Sequence, residues 1–236
     1  MAICRTEGVV VRRFDFGNTS LIAEFFTRGF GRISGILKGI RADPKKFASY
    51  PEIFSRQEII FYPTRNSSLH LVSQCDIKDG FWGIRDNLER IEAAGVLVSL
   101  VRALFAPEDK NDAAFGLIVS CLNDLSSVRD AAKMVNIARI KLLRLSGFRP
   151  HFDSCVVCGA DIRSRARFSA AFGGLLCPEC LPRDRAARLV SPGTVASIRH
   201  IQIAPWEDSR RLFFSPTVNR ELIGILQRFI DFHIDL

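Results

Sequence analysis

No part of this sequence is apolar for long enough to cross a bilayer. The longest apolar run, residues 93–106, is broken by Ser99 and Arg102 and falls short of the roughly 18 to 20 residues that a spanning helix needs. The first residues, MAICRTEGVVVRR, lack the basic segment, continuous apolar run and small-residue cleavage site of a secretory signal. A cytoplasmic protein is expected. Internal repeats and low-complexity tracts are missing too. With hydrophobic residues at 47% and charged residues at 25%, the composition is that of a chain that buries a core. Missing as well are a P-loop, a cluster of metal-binding carboxylates and a nucleophile–base motif, so no enzymatic activity is expected. Three of the four histidines, His70, His200 and His233, belong to no recognisable partner pattern.

What the sequence does contain is positive charge. Lys and Arg number 33 against 25 Asp and Glu, a formal net charge of +8, which favours polyanionic partners through attraction and counterion release. Residues 1–80 carry 12 basic and 8 acidic side chains, and residues 155–190 carry 6 and 3, whereas the rest of the chain is close to balance. The surplus is therefore concentrated in two segments.

The first 80 residues hold five short strand-like runs, 4–14, 20–27, 31–38, 53–62 and 69–77, without helical periodicity. Leu21, Ala23 and Phe25 alternate with Ile22, Glu24 and Phe26, giving a run apolar on both faces, which suits a closed barrel. Gly29-Phe30-Gly31 and residues 63–68 supply turns. On pattern alone a five-stranded OB-fold fits, and a small SH3-like barrel fits nearly as well. From Asn87 the period changes, and Ile91, Ala94, Leu97, Val98 and Val101 recur at helical spacing until Pro107. A second helix is predicted over 112–125, with Phe115, Ile118, Cys121, Leu122 and Leu125 inward. A third is predicted over 128–146, with Gly147 as a left-handed cap and Pro150 preventing continuation. These three helices are expected to share a core. Ser191-Pro192 and Ser215-Pro216 each place a capping hydroxyl before a proline suited to a first helical turn. The last helix carries an apolar stripe from Val218 to Ile230 expected to pack onto earlier helices. The expected partition is a barrel over 1–80, a helical domain over 81–152 and 190–236, and an insertion over 153–189 between its two parts.

The insertion carries the most specific pattern. Cys155-Val156-Val157-Cys158 is followed, after 18 residues, by Cys177-Pro178-Glu179-Cys180. Two such knuckles can point four thiolates at one ion and complete a tetrahedral shell, the arrangement of a structural zinc site. A closed shell leaves no position for catalysis. The competing readings are a pair of disulfides, disfavoured in a reducing compartment, and an iron–sulfur cluster on the same ligands. Cys4, Cys75 and Cys121 lie on apolar runs and read as small buried hydrophobes. His151, close to the first knuckle, is surplus to a four-cysteine shell.

The run Leu142-Leu143-Arg144-Leu145-Ser146-Gly147-Phe148-Arg149-Pro150 leading into the first knuckle resembles the helix-to-zinc junction of the bacterial RecO family. The segment Gly173-Gly174-Leu175-Leu176 before the second knuckle strengthens the match. Near the amino terminus, Glu7-Gly8-Val9-Val10 and the basic Leu37-Lys38-Gly39-Ile40-Arg41 are similar to the family as well. The resemblance covers nearly the whole chain. It implies an α+β multidomain protein: an N-terminal OB-fold, then an α-helical domain interrupted by a zinc-binding module with one structural zinc ion. It also implies a mediator of recombinational repair that binds single- and double-stranded DNA and anneals complementary strands. Such a protein would act with RecR and single-stranded DNA-binding protein to load the RecA recombinase. The sequence departs from the family where Ala42-Asp43-Pro44 separates Arg41 from Lys45-Lys46, and where Arg139 stands in place of a common acidic residue. That second departure lies near where some members receive the acidic, apolar tail of single-stranded DNA-binding protein, which makes Arg139, Lys141 and Arg144 candidate tail contacts.

A DNA-binding barrel would use Arg12, Arg13, Arg28, Arg32, Lys38, Arg41, Lys45 and Lys46 as phosphate contacts if half of them converge. Phe30 and Tyr62 are candidate base-stacking platforms, each stacked base contributing roughly 1 to 3 kcal/mol; Phe30 could equally close the barrel mouth. In the insertion, Arg163, Arg165 and Arg167 alternate and would share a face of an extended segment. Annealing itself needs no acid, base or nucleophile, because a basic surface lowers the repulsion between two backbones. Other function classes compatible with the sequence are a nuclease or nucleotidyl transferase with an accessory zinc ribbon, and a zinc-containing protein-interaction adaptor.

Overall fold

In the computed structural model, which describes residues 3–64, 67–162 and 166–234, five strands close a barrel. They are β1 (Cys4–Phe16), β2 (Ser20–Thr27), β3 (Gly31–Leu37), β4 (Arg56–Tyr62) and β5 (Leu69–Asp79). The order is β1-β2-β3-β5-β4, with β4 returning to β1, and β3 pairs with β5 in parallel while the other pairs are antiparallel. This is the OB-like arrangement, and it decides between the two barrels that strand pattern alone left open. At the parallel junction a side chain on Gly35 would place its Cβ 2.4 Å from Val72 Cγ2, so only glycine lets β3 and β5 approach here.

The two-sided character of β2 has a physical cause. Leu21, Ala23 and Phe25 fill the barrel with Val10, Ile33 and Phe61. On the outer face, Phe26 meets Phe105 at a ring separation of 5.2 Å, so that face is covered rather than wet. The covering helix, α1 (Leu88–Leu104), starts at Asn87, whose side chain accepts from Arg90 N. The next, α2 (Asp112–Leu125), starts at Asn111, which accepts from Ala114 N. The five predicted inward residues of α2 are all buried.

Strand β4 begins three residues later than the pattern predicts. Phe54 N donates to Val10 O, Val10 N donates to Ser55 O, and Phe54 sits at φ 73, so the chain bends around the irregularity in β1 between Val10 and Arg12 before the regular ladder starts. Likewise α3 (Ala131–Leu145) starts later than expected. The Arg90 guanidinium takes the carbonyls of Ser126 and Val128 at 2.9 and 3.1 Å, holding that segment in a turn.

The chain divides into two compact units, the first ending at Ala131 and the second beginning at Ala132. The barrel, α1 and α2 make up the first. The second contains most of α3, a small sheet of β6 (Arg167–Ser169), β7 (Gly174–Leu176) and β8 (Arg188–Leu189), and the helices α4 (Pro192–Ile203), the single turn α5 (Trp206–Ser209) and α6 (Pro216–His233). The expected serine caps are present: Ser191 accepts from Thr194 N and Ser215 from Val218 N. Gly147 adopts φ 87 just after α3. The stripe of α6 buries Leu222, Ile225, Leu226, Phe229 and Ile230. No helix among the described residues is long and apolar enough to cross a membrane.

Candidate metal centre and nucleic-acid interface

The four knuckle cysteines come together in the second unit. Each knuckle is closed by backbone geometry: Gly159 N donates to Cys155 O at 2.9 Å with Gly159 at φ 74, and Cys180 N and Leu181 N both donate to Cys177 O at 3.1 Å. The knuckles are then set side by side. Val156 N donates to Leu175 O at 2.8 Å, and His151 and Gly174 pair as a bridge. A Cβ on Gly174 would lie 2.7 Å from His151 O, so the glycine is required for this approach. Leu176 and Ala187 pack among the cysteines as a small core of their own.

The ligand atoms of Cys155, Cys158, Cys177 and Cys180 all lie within 4.8 Å of one another, and the sulfurs of Cys158 and Cys177 are 3.7 Å apart. A tetrahedral ion with metal–sulfur bonds of about 2.3 Å would space its ligands by about 3.8 Å. The donor set therefore fits a four-coordinate metal. At Cys155 burial opposes ionisation, but hydrogen bonds from the backbone at Cys177, Cys158 and Val157 prevail and bring the thiol down to about 6. At Cys180 burial and the neighbouring sulfurs push the thiol up to about 12. Four crowded sulfurs without a cation cannot all ionise, and a dication would relieve that conflict. His151 stays out of the cluster, its Nε2 2.9 Å from Ser154 Oγ. Cys75 and Cys121 are buried and their thiols are held neutral, with burial pushing Cys75 up to about 12; Cys4 is half-buried against the barrel core.

The barrel candidates fall into separate groups. Lys38, Arg41, Lys45 and Lys46 are all exposed on the segment following β3, which runs beside the β1–β2 turn: Arg41 N donates to Thr19 O at 2.9 Å and its guanidinium to Gly17 O at 3.2 Å and Asp15 at 3.2 Å. Lys46 Nζ donates to Lys38 O. The ammonium groups of Lys38 and Lys45 have no partner among the described residues. At the other end of β3, roughly 20 Å away along the strand, Arg28 is paired with Glu7 and Asp112. Arg32 is locked to Glu24 and donates to Phe105 O. Arg13 is paired with Glu52 and lies over the Tyr50 ring. Phe30 stands edge-on to Phe61 at 5.2 Å, partly closing the barrel mouth, and Tyr62 ends β4 half-buried.

Sequence reasoning missed two residues here. Arg12, Phe14 and Phe16 alternate along β1, and Phe14 and Phe16 are 45% and 49% exposed, with the Arg12 guanidinium over the Phe14 ring. The signal was present as alternate positions in a strand. It was obscured because aromatic residues in a barrel usually point inward.

In α3, Arg139 and Lys141 are buried rather than set on a solvated face. Lys141 Nζ donates to the carbonyls of Ile201 and Ala204 at the end of α4, and burial and the adjacent Arg144 lower its pKa. Among the described residues Arg139 makes only long contacts, to Asn136 and Gln227; its Nε is unpartnered there, and burial lowers its pKa. Arg144 is exposed and donates to Gln202 O. Arg163 and Arg165 lie outside the described residues; Arg167 is half-buried and reaches Ala187 O.

Residues 1–81 match the family model described as Recombination protein O N terminal, and residues 85–236 match Recombination protein O C terminal. This chain belongs to the RecO family. Among its RecO relatives, the DNA repair protein RecO of Roseiflexus sp. (strain RS-1) is 31% identical over 97% of this chain and 80% of its own length. The DNA repair protein RecO of Rubrobacter xylanophilus is 32% identical over 87% of this chain and 83% of its own. That of Alkaliphilus metalliredigens is 28% identical over 99% and 94%. The RecO match thus takes in both the barrel and the cysteine-bearing unit.

Proposed function

We propose that this chain is a DNA repair and recombination mediator that binds single- and double-stranded DNA through its barrel and anneals complementary strands. With RecR it helps load a RecA-type recombinase onto DNA coated by single-stranded DNA-binding protein. It works in the cytoplasm at the nucleoid and makes or breaks no bond. The observation that carries this reading is the group of exposed cations Lys38, Arg41, Lys45 and Lys46 on a segment that runs past the β1–β2 turn of an OB-like barrel. Phe14 and Phe16 stand exposed on the strand leading into that turn. Cations track phosphates and neutralise the repulsion between strands, while exposed rings stack bases without regard to sequence. The roles of RecR and of the recombinase rest on family membership. Zinc is the metal that four cysteines in this spacing and geometry fit best, and one structural ion per chain would hold the insertion folded. Of the three tail candidates, Arg144 is the one whose side chain reaches the surface, and it is the proposed contact for the acidic tail of single-stranded DNA-binding protein.

The test is an annealing assay with purified protein and no nucleotide, alongside binding measured across a salt series. Wild-type protein is expected to accelerate pairing of complementary oligonucleotides. Replacing Lys38 and Arg41 together by alanine should weaken capture of single strands and reduce the slope of log affinity against log salt by about 1.4, at about 0.7 for each phosphate no longer neutralised. Unchanged affinity and slope in that double variant would reject the barrel as the binding surface.

A further inference from the structure

The second unit carries a concentration of positive charge that the barrel does not explain. Arg183, Arg185 and Arg188 follow the second knuckle, between the short 3-10 turn Leu181–Arg183 and β8. All three are exposed, and none has a hydrogen-bond or carboxylate partner among the described residues. Most barrel arginines differ in this respect, since Arg13, Arg28, Arg32 and Arg41 each face a carboxylate. The acidic residue within the segment, Asp184, lines the adjoining groove, but its carboxylate is engaged, accepting from Ser169 Oγ at 2.6 Å and from Ala186 N at 2.8 Å. Three exposed guanidinium groups within six residues are therefore left without a protein anion, which suits them to a bound polyanion.

The same segment borders a groove of about 280 Å³ floored by Phe168, Ala170, Ala171 and Ala186, with Phe232 and Arg228 from α6 on its other side. Phe232 is 60% exposed, and Arg228 is exposed beside it. Asp231 also lines the groove, where it accepts from Gln227 Nε2 at 2.6 Å. An exposed ring next to Arg228, in a groove bordered by a segment that carries three further unpaired arginines, offers what single-stranded nucleic acid uses, bases on the ring and phosphates on the cations.

We propose that this face of the cysteine-bearing unit is a second binding site for a single nucleic-acid strand, with Arg183, Arg185 and Arg188 on the phosphates and Phe232 stacked on a base. The inference deepens the proposed function and rests on it. A protein that anneals gains most by carrying two strands at once, and a site on each unit lets one chain do so.

Strand stoichiometry tests the idea. Full-length, metal-loaded protein is titrated at low salt with a labelled dT strand of about ten nucleotides, within the footprint of one OB site. Wild-type protein should take up two strands per chain. The variant Arg183→Ala/Arg185→Ala/Arg188→Ala should take up one, and the summed salt slope should fall by about 2, at about 0.7 for each arginine removed from a phosphate. Phe232→Ala should weaken the second strand several-fold and leave the slope in place. Wild-type saturation at one strand that the triple variant still binds, or two strands still bound by the triple variant, overturns the second site. In the latter case the arginines would instead serve an acidic protein. A barrel variant lacking Lys38, Arg41, Lys45 and Lys46 that still binds two strands would sink the barrel reading and not this one, so the two failures are distinguishable.

Discussion

Glu24 sits on the outer face of β2, nearly buried, and receives the guanidinium groups of Arg32 and Arg102. Such a group adds little net stability over an apolar replacement of the whole set, but removing one partner strands charges that water cannot fully reach. Glu24→Ala is expected to cost about 3 kcal/mol, read as a lower midpoint for the barrel unit in a denaturant titration. A loss within experimental error would mean that solvent already serves both arginines. The same physics explains why Lys141 reads as a surface cation in the sequence and is buried in the fold. A sequence shows that a residue is charged but not which carbonyls it will meet, and the end of α4, where the helix dipole is negative, meets this one. The exposure of Phe14 and Phe16 was hidden for the complementary reason: alternation along β1 is visible, but which phase faces water depends on what covers the strand.

At the scale of elements, α4 and α6 are joined by a cap that neither helix supplies alone. Glu221 on α6 accepts from Ser191 N at 2.9 Å and Ser191 Oγ at 2.8 Å at the start of α4. Burial works against its ionisation, but the hydrogen bonds from Thr194 and Ser191 win and hold its pKa below the ordinary 4.5. A carboxyl with a depressed folded value contributes stability that is present above its unfolded value and lost as pH falls through the folded one. Glu221→Gln should therefore lower the melting temperature of the second unit near neutral pH. The gap to wild type should close as the pH drops below about 4.5, where the wild-type carboxylate is itself being protonated. A gap that stays constant across that range would show that the charge plays no part in the cap. Both helix starts were legible, because Ser-Pro is a local signal. Glu221 was not, since its partner is 30 residues away in sequence.

For the whole molecule, the division at Ala131/Ala132 predicts two separable unfolding events with different dependence on metal. Metal analysis should find one zinc ion per chain. Stripping it with a chelator, or replacing Cys155 by serine, should lower and broaden the thermal transition of the second unit while leaving the barrel transition in place, because an ion held by the four thiolates would contribute much of the insertion's stability. Scanning calorimetry with and without metal reads this directly, and loss of both transitions together would contradict independent units. The helices α1 and α2 fall with the barrel in the first unit, and most of α3 falls in the second. Helical periodicity says that a face is apolar, not which apolar surface it will find.

Local grammar was enough to establish the five strands, the starts of α1, α2, α4 and α6, the left-handed glycine after α3 and the cysteine spacing, because each depends on residues within a few positions of one another. Whether the barrel closed with β3 beside β5, which cations kept their charge free for a partner and which were spent on Glu24 or on the carbonyls of α4, was decided only in three dimensions. Those outcomes depend on the company a side chain keeps across long stretches of chain, and burial and pairing, unlike residue type, belong to the folded molecule.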